Sequence, residues 1–125
     1  MNLVLAVAIG IGAGVGTSIR YIVSLLASRG HFPWGTVIVN VAGAAFLGGL
    51  SRAADSGNLG DHALLILGAG LAGGLTTFST LAVDAARLWR AGRQRAAVSY
   101  LVLTVVGGIL AAAAGWSLAG MLGNG

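Results

Sequence analysis

Charge is scarce in this chain: of 125 residues only 8% are charged, and cysteine is absent altogether. The lack of cysteine excludes disulfides and thiolate metal sites and removes the usual thiol nucleophile, so no redox compartment can be read from it. No basic segment precedes the first apolar stretch, whose first arginine is Arg20. A cleaved signal peptide is therefore not expected, and the stretch reads as a retained helix. His31 and His62 fall in loops without metal-ligand spacing, and no Ser, His and acid arrangement lies in an apolar interior, so an enzyme is not expected. GIGAGVG in the first stretch has glycines in the style of a dinucleotide fingerprint but neither the preceding strand nor the downstream acid, which leaves helix packing as its reading.

What is present is hydrocarbon. Hydrophobic residues make up 57% of the chain and the mean hydropathy is +0.92, outside the range of soluble domains. Four apolar stretches predict helices over roughly 3–27, 33–53, 63–90 and 96–122, each near or above the ~20 residues that cross a bilayer. Residues 1–125 thus read as one all-α, four-helix transmembrane domain with short connections.

The formal charge of +4 and pI near 11.3 could suit nucleic acid, but the arginines form no basic stripe alternating with aromatics. Membrane orientation explains them better. Arg29 follows the first helix, and Arg87, Arg90, Arg93 and Arg95 surround the third connection. The opposite face has only Arg52, offset by Asp55 and Asp61. Cytoplasmic loops collect arginine, so both chain ends are expected outside the cytoplasm.

Glycine, at 22 residues, recurs in GIGAGVG, GAAFLGG, GAGLAGG and the GG and AAAAG of the last stretch. Small residues let membrane helices approach closely, so packing accounts for most of them. Four helices of this size enclose little by themselves, which predicts an oligomer with glycine-rich contact faces.

Polar residues at depth are few, and each needs a partner or a water-filled space. Asn40 follows Thr36 by one helical turn, giving a polar stripe, although an amide there equally suits a bond to a neighbouring helix. Tyr100, Thr104 and Gly108 recur on one face. Tyr100 also suits an interfacial position, and Thr104 a bond to its own backbone carbonyl. Arg20 lies about 17 residues into its helix, roughly 25 Å along it, where it can snorkel or stand at the mouth of an anion pathway. Asp84 is the one carboxylate within an apolar run, able to cap, to pair with Arg87 or Arg20, or to line a pathway.

GGLTTFST, residues 73–80, places four hydroxyls in five residues where hydrocarbon is expected. In its context, GAGLAGGLTTFSTLAVD, it resembles the signature of the fluoride-specific ion channel family, known as Fluc or CrcB. GAGVGTSIRY in the first helix, WGTVIVNVAGAAFLGG in the second and SYLVLTVVGGILAAAAG in the fourth follow that family's pattern in order and spacing over nearly the whole chain. The resemblance implies a third helix broken near the midplane and an antiparallel, dual-topology dimer with two fluoride pathways. It implies a structural sodium ion, not transported, held by the backbone carbonyls of Gly73 and Thr76. The pore residues it implies are Phe78, Asn40, Thr36, Ser79, Thr80, Tyr100 and Thr104, with Arg20 and Asp84 in a vestibule or polar track. The implied function is passive export of cytoplasmic fluoride, lowering its toxicity, by a multi-pass protein of a bacterial-type plasma (inner) membrane. The implied partners are fluoride, the lipid bilayer and an antiparallel partner subunit, with no nucleic acid.

General chemistry is compatible with that picture. Irregular backbone at membrane depth is tolerated when it is buried in protein or lines a cavity, freed carbonyls suit a hard cation, and glycine permits the break. A phenyl ring has a positive edge, and amide and hydroxyl donors replace the water lost by a small anion.

Three positions depart from the family's pattern. Leu81 stands where a second pore phenylalanine is usual, Asp84 where glutamate is usual, and Gly108 where a hydroxyl is common. With the arginine bias, they predict pairing with a related, oppositely oriented subunit, while a homodimer stays open because a few charges can be overridden during insertion. Two rivals are a small four-helix multidrug exporter and a non-conducting membrane-assembly subunit. The first needs a carboxylate in the first helix, and residues 1–27 contain none. The polar residues at matching depth in three helices argue against the second.

Overall fold

The computed structural model describes residues 2–27 and 30–123; Arg29, counted above with the cytoplasmic arginines, lies outside the described residues. Helix α1 spans Leu3–Leu26. It starts at Asn2, whose Oδ1 accepts the Leu5 N–H at 2.8 Å and so satisfies one of the donors that every helix start leaves open. Helix α2 spans Trp34–Asp55 behind Pro33, a residue with no N–H to leave unpaired.

The third span, Asp61–Arg90, is composite. Helix α3 (Asp61–Leu64) widens into a π-helical stretch, Leu65–Ala72, followed by α4 (Gly73–Leu75). The span then bends at 76–78, where Thr76 is extended (φ −85°, ψ 156°), and resumes as α5 (Ser79–Arg90). Helix α6, Gln94–Gly123, is 30 residues long, about 45 Å at 1.5 Å per residue. That exceeds a hydrocarbon core of about 30 Å, so it crosses tilted or projects beyond it. All four spans are long and apolar enough to cross a bilayer, and among the described residues there is no strand. The chain is a multi-pass helical membrane protein.

Helix α1 packs on the π-helical stretch and α4, α2 packs on α6, and α5 also packs on α6. Glycine sets both main contacts. A Cβ at Gly16 would strike the Leu71 carbonyl and one at Gly74 the Ala13 carbonyl, so α1 and the third span approach backbone to backbone. The same holds for Gly48 against Ala112 and Gly115 against Ala45 between α2 and α6. In lipid, where burial of apolar surface drives little helix association, this closeness supplies the dispersion and packing that hold the bundle.

A small side-chain core lies where α2, α5 and α6 meet: Val37, Leu81, Ala85, Leu88, Ala97 and Tyr100. Phe32 closes it with its ring edge-on to Tyr100, centroids 5.7 Å apart. Leu81, at a position where the resemblance implies a pore phenylalanine, is 5% exposed and belongs to this core. Tyr100 is fully buried there. Outward faces stay apolar, with Leu3, Ile11, Leu25, Val105, Ile109 and Leu122 exposed, as lipid contact requires.

Arg93 Nη1 donates to His31 O at 2.8 Å, tying the first connection to the turn between α5 and α6. Arg87, Arg90, Arg93 and Arg95 therefore gather at one end of the bundle with His31. Arg52, paired with Asp55 at 3.4 Å and stacked over Trp116, stands at the other end. Among the described arginines the charge bias read from the sequence survives folding.

Candidate ion pathway

The bend in the third span is held from two sides. From α2, the Asn40 side chain meets a single peptide unit twice: Nδ2 donates to Thr77 O at 3.0 Å, and Oδ1 accepts the Thr77 N–H at 2.7 Å. One turn further on, Gly43 leaves room for the Thr76 methyl group, which a Cβ would strike. From α1, Arg20 Nη1 donates to Thr76 O at 3.3 Å, and Thr17 Oγ1 donates to Gly74 O at 3.3 Å. Arg20 thus folds back on the bend and is half-buried instead of reaching outward.

Hydroxyls close the bend locally. Thr76 Oγ1 donates to Ala72 O at 3.1 Å. Thr77 Oγ1 accepts the Thr80 N–H at 3.2 Å, donates to Thr80 Oγ1 at 3.1 Å and lies 3.4 Å from Ser79 Oγ. This is the capping geometry of a helix start, and it sets where α5 begins. Thr77 was not singled out from the sequence, although a threonine three residues before the first-turn Thr80 is a capping signal. Phe78, between the cap and the helix, is 80% exposed and lies outside the core of its own chain.

Two cavities with polar side chains in partly apolar walls lead along α1 and α2 toward this point. One, about 370 Å³, is lined by His31, Phe32, Ser24, Thr36, Thr80 and Asp84 among others. The second, about 250 Å³, is lined by Thr17, Arg20, Tyr21, Ser24, Thr36 and Thr80. Ser24, Gly35, Thr36 and Thr80 line both, so together they make a vestibule that opens at the arginine-rich end and reaches Arg20. Thr17 and Ser24 were also not singled out from the sequence. Both are short hydroxyl side chains in a largely apolar helix, and only the fold shows what they border.

Asp84 stands in the wall of the first cavity, whereas Tyr100, Thr104 and Gly108 line neither cavity. The Tyr100 hydroxyl donates to Asp84 Oδ2 at 3.3 Å, with Thr36 beside it. Asp84 is therefore held by Tyr100, not by Arg20 or Arg87. Buried Thr104 donates to Tyr100 O at 2.9 Å, the backbone bond common for hydroxyls in membrane helices. Asn40 lines neither cavity and bonds the neighbouring span. A Cβ at Gly108 would lie 3.9 Å from that of Ala44, so this position faces α2.

The bend also separates two kinds of helix end. Carbonyls terminate the segment that stops at Leu75, and amide N–H groups begin α5. The first end is electronegative and the second electropositive. A cation and an anion can thus be accommodated on opposite sides of a few residues of irregular backbone.

A multi-pass helical bundle with a polar vestibule ending at a bent span is the architecture of a membrane channel or transporter. The family model described as "CrcB-like protein, Camphor Resistance (CrcB)" matches residues 7–116. "Fluoride-specific ion channel FluC 1" of Ligilactobacillus salivarius is 44% identical over 109 residues, covering 86% of this chain and 92% of the relative. "Fluoride-specific ion channel FluC" of a Chelativorans species is 40% identical over 113 residues, covering 87% and 90%. "Fluoride-specific ion channel FluC 1" of Streptomyces avermitilis is 40% identical over 118 residues, covering 92% and 93%. The chain belongs to the CrcB family, which consists of ion channels and not of enzymes.

Proposed function

We propose that this chain is the subunit of a passive, fluoride-selective channel that exports cytoplasmic fluoride across a bacterial-type plasma membrane. The observation that carries the reading is Phe78: a large, exposed aromatic at the start of α5, beside the Ser79 and Thr80 hydroxyls. The ring alone would suit lipid, but hydroxyls facing lipid are unfavourable; in a pathway they replace lost water, and the ring's positive edge meets a small anion without trapping it. Thr80 joins this point to the vestibule, and Arg20 puts a positive charge at the vestibule's inner limit. The relatives named as fluoride channels supply the identity of the anion.

Two subunits in antiparallel arrangement, with their third spans crossing near the midplane, would complete each pathway. A sodium ion at that crossing would be held by carbonyls of Gly73 and Thr76. The residues fit such an ion: the donors are neutral, hard oxygens, and Gly73 is exposed on the face of the chain. Arg20 already donates to Thr76 O, so the cation would use that oxygen's second lone pair. Two carbonyls from one chain leave the coordination shell open for a second subunit. The ion would contribute charge neutralisation between the crossed spans.

Fluoride efflux from liposomes, recorded by electrode with a chloride control, tests the function: flux of fluoride without chloride is expected, and its absence with any related partner rejects the reading. The arginine distribution favours pairing with a related, oppositely oriented subunit over self-pairing. Reporter tags at both chain ends test this: a single orientation is expected when the chain is expressed alone, and mixed orientation restores the homodimer.

A further inference from the structure

Helical hydrogen bonding lapses where the third span bends, at 76–78. The Thr76 N–H bonds Ala72 O at 3.1 Å, four residues back, as in any α-helix. The next donor, the Thr77 N–H, should close on Gly73 O. It goes instead to Asn40 Oδ1 at 2.7 Å, while Asn40 Nδ2 returns to Thr77 O at 3.0 Å. An amide side chain matched to a peptide unit in both directions replaces a backbone partner, and at membrane depth such replacement is what allows a helix to be interrupted. Asn40 has one Nδ2 hydrogen left, and its side chain lines neither cavity.

We infer that Asn40 is a positioning residue that acts through Thr77: by taking the Thr77 N–H it releases the Gly73 carbonyl from the helix and sets the start of α5, and hence Phe78. Thr77 carries the constraint onward, since its Oγ1 accepts the Thr80 N–H at 3.2 Å and donates to Thr80 Oγ1 at 3.1 Å. Gly43, which makes room for the Thr76 methyl, belongs to the same α2 surface. The value of the freed carbonyl to a cation rests on the function proposed above; the backbone latch does not. Direct donation from Asn40 to the anion is the competing role, and amide exchange distinguishes the two.

The experiment is hydrogen exchange at the Thr77 amide, with fluoride efflux measured in parallel, on the full chain in lipid nanodiscs. In the wild type, slow exchange at Thr77 is expected; fast exchange overturns the latch whatever any variant does. Asn40→Leu removes both bonds and should accelerate Thr77 exchange about tenfold. Asn40→Asp keeps the acceptor, so Thr77 should stay protected while the donor to Thr77 O is lost. Sodium should slow exchange across 73–78 in the wild type and not in Asn40→Leu. Collapse of fluoride flux in Asn40→Leu with Thr77 exchange unchanged assigns Asn40 to the ion and overturns the inference. Should Asn40→Leu not fold, loss of Thr77 protection in Asn40→Asp overturns it equally. Absence of fluoride flux in the wild type counts against the channel reading alone, because exchange at Thr77 still reports on the latch.

Discussion

Arg20 donates from Nη1 to the carbonyl oxygen of Thr76 across 3.3 Å, joining the only described charge on α1 to the bend of the third span. A guanidinium inside a bilayer is costly unless it is paired with polar groups or water. Here it has both a carbonyl and a cavity with Thr17, Ser24, Thr36 and Thr80. The same arrangement places a fixed positive potential at the inner end of the vestibule.

Arg20→Met keeps a long side chain but removes the charge and the bond to Thr76. Fluoride efflux is expected to fall at least about tenfold, the effect of losing a charged hydrogen bond of ~1.5–3 kcal/mol. Electrode-recorded flux at matched protein content checks it; efflux at the wild-type rate would remove Arg20 from the pathway.

Phe78→Ile exchanges the ring for an aliphatic chain at a site with no partners in its own core. Stability should change by no more than about 0.5 kcal/mol, as at other exposed positions, while fluoride flux drops. Size-exclusion elution and efflux measured on one preparation separate assembly from conduction. Unchanged flux would show that the ring does not face the path.

Tyr100→Phe deletes the donor to Asp84 inside a buried contact and leaves the carboxylate with one partner fewer. A loss of about 1–3 kcal/mol is expected, read as a lower unfolding midpoint in detergent. An unchanged midpoint would mean that water replaces the hydroxyl through the vestibule.

Leu81→Phe restores the residue usual in the family at a position that this chain buries among Val37, Ala85 and Tyr100. Overpacking should cost about 1–3 kcal/mol without raising flux. A faster fluoride efflux from this variant would place position 81 on the pathway instead of in the core.

Gly48→Ala and Gly10→Ala form a matched pair. A Cβ at Gly48 strikes the Ala112 carbonyl, whereas nothing lies within 4 Å of one at Gly10. The first should destabilise the bundle by about 1–3 kcal/mol, and the second should be neutral within one chain. If Gly10→Ala shifts the elution to a smaller species while the subunit remains folded, that glycine lies in the contact between subunits.

Much of this protein was legible from its sequence because a bilayer imposes one strong rule: backbone polar groups must be satisfied within the spanning segment. Apolar length alone therefore determined four helices, and scarcity of charge made Arg20, Asn40 and Asp84 conspicuous. The arginine bias could be read because connections are short and folding does not move a loop charge to the other face. Glycine pairs announced close packing, since no other residue lets two backbones meet as Gly16 and Leu71 do.

Partners were not legible, because they depend on the angle at which one helix face meets another. Asn40 could equally have pointed to an ion or to a neighbour, and only the crossing of α2 over 76–78 directs it to both ends of the Thr77 peptide unit. Asp84 had two possible partners in the sequence reading, Arg87 and Arg20, and takes a third, Tyr100, sixteen residues away in the chain. Leu81 lies three residues from Phe78, yet one is buried and the other exposed. Phe78 is already helical and its carbonyl accepts the Ala82 N–H at 2.9 Å, so the two share one turn, and only the packing of α2 and α6 against α5 decides which of them is covered. The sequence by itself determined which residues are costly in a membrane; tertiary structure decided which of those costs each neighbour offsets, because a hydrogen bond requires a direction that a one-dimensional spacing does not contain.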